Sequence, residues 1–259
     1  MAGRSAAGTF ASLVPADALN LSGLTEDDIS SARLDTSKYA AYIELHNEQG
    51  PILERRSFQI GISTGIVSII RHKVTMHGRQ NQAGTIPMEE RTNAMRSAAE
   101  FIAEWSSCSD QELVQNNLFV QSIGTFSLMP NSPATVPREA TFIVEHRSLS
   151  SDIDAYVAEH LHSLISSSDF AKYRLTIETV VAKPPVTLEK GIISTAEEAA
   201  SSCEYSYIKV LGGASHDAAS MAHVMPAGMI FVPSIGRISH SNDEFTPEED
   251  MIRGLRMLT

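Results

Sequence analysis

Three short segments gather side chains that can hold a divalent cation or move a proton. They are Glu44, His46, Glu48 and Gln49; then Ser215, His216 and Asp217; then Ser239, His240, Ser241, Asp243 and Glu244. Neutral imidazole and carboxylate are the usual ligands of zinc and similar ions. None of the segments has the tight spacing of an HExxH helix. From the residues alone each has two readings: ligand or proton chemistry, or hydrogen-bonded polar groups at a strand end. His72, His77, His160, His162 and His223 lack such a setting and read as structural. Neither cysteine has a basic neighbour, Gly212-Gly213 is too short for a phosphate loop, and no serine nucleophile is assigned.

The elements that must position these groups follow from periodicity. Ile43 and Leu45 alternate with Glu44 and His46, which predicts a strand running into the Gly50-Pro51 turn. Residues 66–76 predict a strand. Residues 91–106 predict a helix with Met95, Ala98, Ala99, Ile102 and Trp105 on its buried stripe. Strands over 118–128 and 140–145 follow, then a helix capped by Ser150 or Ser151, then a strand over 173–181. This β-α-β-β-α-β order is that of a split βαβ unit. Beyond it, Ser194 with Glu197 and Thr246 with Glu249 read as capping boxes. Strands are expected over 207–211 and 229–232, and the last helix is expected to bury Ile252, Leu255 and Leu258.

Composition excludes several classes. The chain has 259 residues and a net charge of −11, with no Lys/Arg cluster, which argues against a nucleic-acid partner. No apolar run is long enough to span a bilayer, and MAGRSAAGTF lacks a secretory signal pattern. Cys108 and Cys203 make neither a disulfide framework nor a thiolate zinc site. They read as small buried hydrophobes in a reducing compartment, and a cytoplasmic protein with no membrane partner is expected.

The segments YIELHNEQGPILE, IGISTGI, GRQNQAGTIPMEERTNAM, the joint ending in Glu145-His146-Arg147, and GGASHDAASMAHVMPAGMIFVPSIGRISHSNDE occur in this order along the chain. Together they resemble the N-carbamoyl-L-amino-acid hydrolase, allantoate amidohydrolase and β-ureidopropionase group of the zinc-dependent exopeptidase superfamily. The resemblance covers essentially the whole chain. It implies an α/β fold in which a partial catalytic domain, a mixed sheet with flanking helices, is formed by residues 1–64 and 185–259. A ferredoxin-like βαββαβ lid and dimerisation domain, residues 65–184, is inserted between them. It implies hydrolysis of a carbamoyl or ureido C–N bond by water held on two divalent ions, zinc or manganese, with a Glu as general base. His46 and His240 would each hold one ion. Gln49, Gln82, Arg147, Gly213, Ser215 and His216 would line the substrate, with the planar fork of Arg147 clamping a carboxylate. The implied partners are a small carboxylate-bearing carbamoyl or ureido compound and a second copy of the chain.

The chain also departs from that pattern. The group's remaining ligands, a His, a bridging Asp and a Glu with the base Glu beside it, precede the segment that MAGRSAAGTF resembles, so no catalytic base is assigned. Gln82 stands where the pattern has a His, Ala134 where it has an Asn, and Arg138 and Ser215 where it has Gly. Gln can donate a hydrogen bond but carries no proton. The expectation is a truncated or inactive copy of such an amidohydrolase, the alternative being a dimerising or ligand-binding remnant. A sheet without the upstream strands is expected to show an apolar face and an unpaired edge.

Overall fold

The computed structural model describes residues 19–32, 34–107, 119–166, 170 and 173–259. The described residues up to Ala40 belong to one compact unit, and Ala41–Thr259 form another. In the first, helix α1 (Glu26–Ser31) begins at Thr25. The Thr25 hydroxyl accepts from the Asp28 N–H while the Asp28 carboxylate accepts from the Thr25 N–H, a reciprocal cap that satisfies two orphan donors. The acidic run at 25–28 is therefore a helix start.

The second unit holds two main sheets. The first is built from β1 (Tyr42–Asn47), β2 (Ile60–Ile66), β9 (Val186–Thr187), β10 (Tyr207–Gly212) and β11 (Ala227–Val232). Its order is β1-β11-β2-β10, with β9 beside β2. β1 and β11 run parallel, β11 and β2 antiparallel, and β2 and β10 parallel, so the sheet is mixed. β2 was not expected as a strand; it is an almost wholly buried run with no alternation to reveal it. Both faces are covered. On one, Met229 and Phe231 pack with Leu53, Val210 and Ala218. On the other, Ile230 and Val232 pack with Ile60, Ile62, Ala196 and Ala200. Glu48 closes the turn after β1: its carboxylate accepts from the N–H groups of Ile52 and Leu53, both at 2.7 Å, and so caps helix α2 (Ile52–Arg56).

The second sheet contains β3 (Ile69–His77), β5 (Phe119–Met129), β7 (Glu139–Ser148) and β8 (Arg174–Lys183), in the order β5-β7-β3-β8 and antiparallel throughout. A small ribbon pairs β4 (Asn81–Gln82) with β6 (Thr135–Val136). Helices α3 (Ala94–Ser107) and α4 (Ser151–Ser166) supply Phe101, Trp105, Val157 and Leu161 to a core shared with Val74, Met76 and Phe142. The buried stripe of α3 is Ala94, Ser97, Ala98, Phe101 and Trp105, one residue out of phase with expectation, and Met95 faces outward. The large rings Phe101 and Trp105 set the phase, since the smaller Ala and Met positions fit either way. Ser150 caps α4 through the Ile153 N–H at 3.2 Å.

Two expected capping boxes are corrected. Helix α5 (Lys190–Ser202) starts before Ser194, with Glu189 at its cap. Helix α6 (Asp217–Met221) follows β10, and helix α7 (Glu248–Arg256) closes the chain. Thr246 does not cap α7; its hydroxyl donates to the Pro233 carbonyl at 3.1 Å. The inward face of α7 is also corrected. It buries Asp250, Gly254 and Met257 and leaves Ile252, Leu255 and Leu258 43%, 58% and 41% exposed. Gly254 explains the rotation: an added Cβ would lie 2.5 Å from Leu45 and 2.7 Å from Val232, so the helix touches the sheet with its backbone. The apolar face expected on the sheet is not found, since both of its faces are covered; the exposed apolar residues here belong to α7. β1 and β10 are the outer strands of the first sheet. No described helix is long and apolar enough to cross a membrane. Cys203 is a half-buried free thiol just past α5, and Cys108 lies outside the described residues.

A buried polar cluster sits in the second sheet. Asp154 Oδ1 accepts from the hydroxyls of Ser68 at 2.9 Å and Ser148 at 2.6 Å, and lies 3.3 Å from His146 Nε2. His72 stacks on His146 with centroids 6.0 Å apart. Burial, then the neighbouring His146 and His162, push His72 down to about 4. Burial also lowers His146, against the opposing pull of Asp154 and Glu145. Both imidazoles are therefore neutral in the folded chain at neutral pH, whereas they ionise near 6.5 when unfolded. The contribution of His72 is complete above pH 6.5 and is lost as pH falls toward 4, and His146 acts in the same direction. For His72 the loss amounts to roughly 3 kcal/mol. The expected outcome is a thermal midpoint that drops over this window and drops less in His72→Gln; an identical pH profile for the variant would remove His72 from the account.

Candidate active site

Residues two apart on a strand share a face, so β1 presents Glu44 and His46 together. Opposite them in register stand Met229 and Phe231 of β11. The chain after β10 returns along this face, and His216 lands beside His46, ring centroids 4.7 Å apart and edge to face. Phe231 meets the other side of the His216 ring at 5.4 Å. Glu44 links the two segments: its Oε2 accepts from the Ala218 N–H at 2.7 Å, and its Oε1 lies 3.7 Å from His216 Nδ1. Glu44, His46 and His216 each bring one donor atom to a common point, all within 4.8 Å of one another. Two imidazoles and a carboxylate are a known donor set for zinc, so these side chains fit a divalent cation chemically. His216 is pushed down to about 4 by burial, then by His46, with Arg147 adding and Asp217 opposing. It is an unprotonated imidazole at neutral pH. His46 Nδ1 is 2.7 Å from the Asn47 carbonyl, which assigns its proton there and leaves Nε2 free.

Of the two expected metal ligands, the structure brings His46 into this cluster. His240 lies in the loop after β11 and outside the cluster. Its backbone N–H donates to Glu244 Oε2 at 2.9 Å. The other oxygen of Glu244 accepts from Asn47 Nδ2 at 2.9 Å and Gln49 Nε2 at 3.0 Å. These bonds, that of Asn47 foremost, then Gln49 and the His240 N–H, hold the Glu244 carboxyl down at about 2. Gln49 and His240 are both left-handed, with φ of 55° and 57°. Non-glycine residues adopt that region at a cost of order 1 kcal/mol and collect in it at functional sites. A cleft of about 460 Å³ opens beside His46, lined also by Asn47, Glu244, Phe245, Thr246 and Met251.

The remaining expected residues lie along the junction of the two sheets. Arg147 donates from Nε and Nη2 to Glu145 Oε1, both at 2.8 Å, and from Nη1 to the Gly213 carbonyl at 2.6 Å. Burial would raise the Glu145 carboxyl, but the Arg71 and Arg147 guanidiniums overcome it and hold the group down. Ser215 Oγ accepts from Lys183 Nζ at 3.2 Å. Gln82 is exposed in the β4–β6 ribbon, its side-chain oxygen accepting from the Gly84 N–H. It contacts neither His46 nor Arg147 through any described hydrogen bond. Glu44 and Glu244 had no assigned role in the sequence. Alternation with His46 was the available signal for Glu44, whereas nothing local marks Glu244 as the group that grips Asn47 and Gln49. The run Gly61-Ile62-Ser63-Thr64-Gly65 has Gly-x-Ser-x-Gly spacing, yet Ser63 is fully buried inside β2 and donates to the Gly65 carbonyl. It is not on a strand-to-helix elbow and is no nucleophile.

A mixed sheet flanked by helices and bearing imidazole and carboxylate donors defines an α/β protein with a candidate divalent-cation site. Residues 19–259 match peptidase family M20/M25/M40, and the chain belongs to that family. It is 30% identical over 246 residues to the N-carbamoyl-L-amino acid amidohydrolase of Geobacillus stearothermophilus, covering 94% of this chain and 59% of that protein. It is 30% identical over 239 residues to the ureidoglycolate hydrolase of Arabidopsis thaliana, covering 90% and 49%. The crystal structure of AtUAH in complex with glyoxylate superimposes with a TM-score of 0.81 at 28% identity, covering 93% of this chain and 58% of that one. The chain thus spans about half to three-fifths of the length of these relatives.

Glu244→Ala removes the acceptor that holds Asn47, Gln49 and the His240 N–H. The expected outcome is faster amide hydrogen exchange at His240 and neighbouring residues with far-UV circular dichroism unchanged. Unaltered exchange there would show that the loop keeps its shape without Glu244.

Proposed function

We propose that this chain carries part of the site of a metal-dependent amidohydrolase acting on a carbamoyl or ureido C–N bond in a small carboxylate-bearing molecule. The observation that carries the reading is the convergence of Glu44, His46 and His216 within 4.8 Å on one face of the mixed sheet. In this reading His46 and His240 each hold one of two divalent ions, zinc or manganese, which supply a water of lowered pKa as nucleophile. The chain's own residues bind and orient. His46 presents Nε2 because its other nitrogen is engaged by the Asn47 carbonyl. Gln49, held by Glu244, faces the ligand from the turn after β1. Gly213, Ser215 and His216 flank it. A ligand carboxylate replaces the Gly213 carbonyl as the acceptor of Arg147 Nη1, while Glu145 keeps the fork in place from behind. Gln82 offers a hydrogen bond without a proton.

The domain reading belongs to the same proposal. The order β5-β7-β3-β8 with α3 and α4 in one core supports residues 65–184 as a ferredoxin-like lid through which two copies of a cytoplasmic protein would pair. Residues 1–64 and 185–259 would then be the parts of the catalytic domain. No general base is assigned among the described residues, so the chain by itself is read as inactive. The alternative, a dimerising or ligand-binding remnant, draws on Gln82 and Ala134, which stand where the family pattern has a His and an Asn.

The test is calorimetry and turnover with zinc or manganese, using N-carbamoyl-L-amino acids, allantoate, ureidoglycolate and ureidopropionate. Binding of at least one of them is expected, weakened tenfold or more in Arg147→Ala, equivalent to about 1.4 kcal/mol. Affinity indifferent to Arg147 would sink the ligand class. Rapid metal-dependent hydrolysis by the chain alone would overturn its inactivity.

A further inference from the structure

We propose that a crevice at the junction of the two sheets is a second binding site, which takes a small amphipathic anion, an aliphatic carboxylate of the octanoate kind, with its head on Arg56. The site lies apart from the Glu44, His46 and His216 cluster. It needs neither metal nor turnover, so it goes beyond the function proposed above.

The crevice has a volume of about 290 Å³. That is near the lower end for small-molecule pockets, which are mostly apolar with a few placed polar groups. Its walls come from both sheets: α2, β10, the start of β5, the end of β7, and Val67 in the link from β2 to β3. Phe119 and Val210 in its lining are buried, whereas Ile52, Val120 and Leu211 are 36%, 55% and 43% exposed. Three separate segments thus bring apolar side chains to one place and leave them partly wet. Covering such a surface is favourable, and a contiguous apolar patch of this kind marks a binding site more often than scattered single residues do. Where Gly213 lines the crevice, an added Cβ would meet nothing within 4 Å, so the space there is open.

The charge of the occupant follows from the rim. Among the described residues that line the crevice, Arg56, Arg147 and Lys209 are charged and none is acidic. In a chain of net charge −11 this is a local reversal of sign. Two of the three cations are engaged. Arg147 spends its donors on Glu145 and the Gly213 carbonyl, and Lys209 pairs with Glu197 at 3.0 Å. Arg56 differs. Its guanidinium carbon lies 5.5 Å from the centre of the Phe58 ring, and no hydrogen-bond acceptor or carboxylate meets it among the described residues. The ring contact steadies the side chain without using its N–H groups. A planar fork with free donors matches a carboxylate through two parallel bonds. The aliphatic part of the ligand then covers Ile52, Val120 and Leu211. Because the occupant touches both sheets, it also braces their junction.

The experiment titrates the full chain with octanoate, octanol, octylamine and acetate, read by calorimetry and by the methyl resonances of its isoleucine, leucine and valine residues. The expected result is one saturable octanoate per chain, methyl shifts centred on Ile52, Val120 and Leu211, and a raised thermal midpoint. Octanol lacks the charge, acetate the chain, and octylamine has the opposite sign. Each is expected to bind about tenfold more weakly or not at all. Arg56→Gln is expected to cost octanoate about tenfold or more, with part of the loss recovered in Arg56→Lys. Val120→Glu sets a carboxylate at an exposed point of the rim and is expected to abolish binding with circular dichroism unchanged. His240→Ala is expected to leave the affinity within about twofold, as for an independent position. No octanoate binding, methyl shifts centred elsewhere, octanol as tight as octanoate, or an affinity indifferent to Arg56→Gln overturns the proposal. If Val120→Glu fails to fold, the two Arg56 variants decide, because that side chain is exposed. Octanoate binding without recognition of carbamoyl or ureido compounds leaves this site standing and removes the amidohydrolase reading; recognition of those compounds without octanoate binding does the reverse.

Discussion

The Glu44 carboxylate accepts the Ala218 N–H at 2.7 Å and thereby joins two segments 174 residues apart in sequence. A partly buried carboxylate is tolerated only when its oxygens are satisfied, so this bond sets where the chain after β10 must return. Once it returns there, His216 has one place to go: against Phe231, beneath Gly212 and beside His46. The packing of the face follows, because Ala218 is the small residue that lets α6 lie against Met229 and Phe231.

The second anchor is Glu244, which distributes three hydrogen bonds over β1, the following turn and its own loop. Two of the residues it holds, Gln49 and His240, have left-handed backbones. Such conformations persist when the surroundings over-determine them. For Gln49 the surroundings are visible on both sides: Glu244 takes its side chain and Ser234 accepts its N–H at 2.8 Å. A carboxylate in this position therefore acts by shape, converting a flexible turn and a flexible loop into fixed neighbours of the cleft.

The parts of this arrangement that were legible in the sequence are those governed by near-neighbour spacing. Alternation revealed β1 and placed His46 on it. Strand and helix periods gave the antiparallel sheet and its two helices. The residues that failed were governed by contacts from elsewhere. β2 has no alternation because both of its faces are buried. The apolar residues of α7 imply a buried stripe, yet Gly254 draws the backbone onto Leu45 and Val232 and turns the stripe outward. The Ser194 box matched a capping pattern, but the helix had already begun at Lys190 under Glu189. For the site itself, histidines were singled out by type. Glu44 and Glu244 stood in the same polar segments but had no assigned role, because the groups they bind lie in distant segments.

Arg147 shows how the two sheets meet at this site. Its guanidinium spends two donors on Glu145, which also binds Arg71, and gives the third to the Gly213 carbonyl. The first pair lies within the antiparallel sheet and fixes the plane of the fork. The third reaches the strand end of the mixed sheet. A planar fork fixed on one side can exchange its acceptor on the other without moving. The bond to the Gly213 carbonyl has an ionised donor and is therefore itself charge-assisted. Through this one guanidinium the antiparallel sheet is tied to the segment that leads into His216.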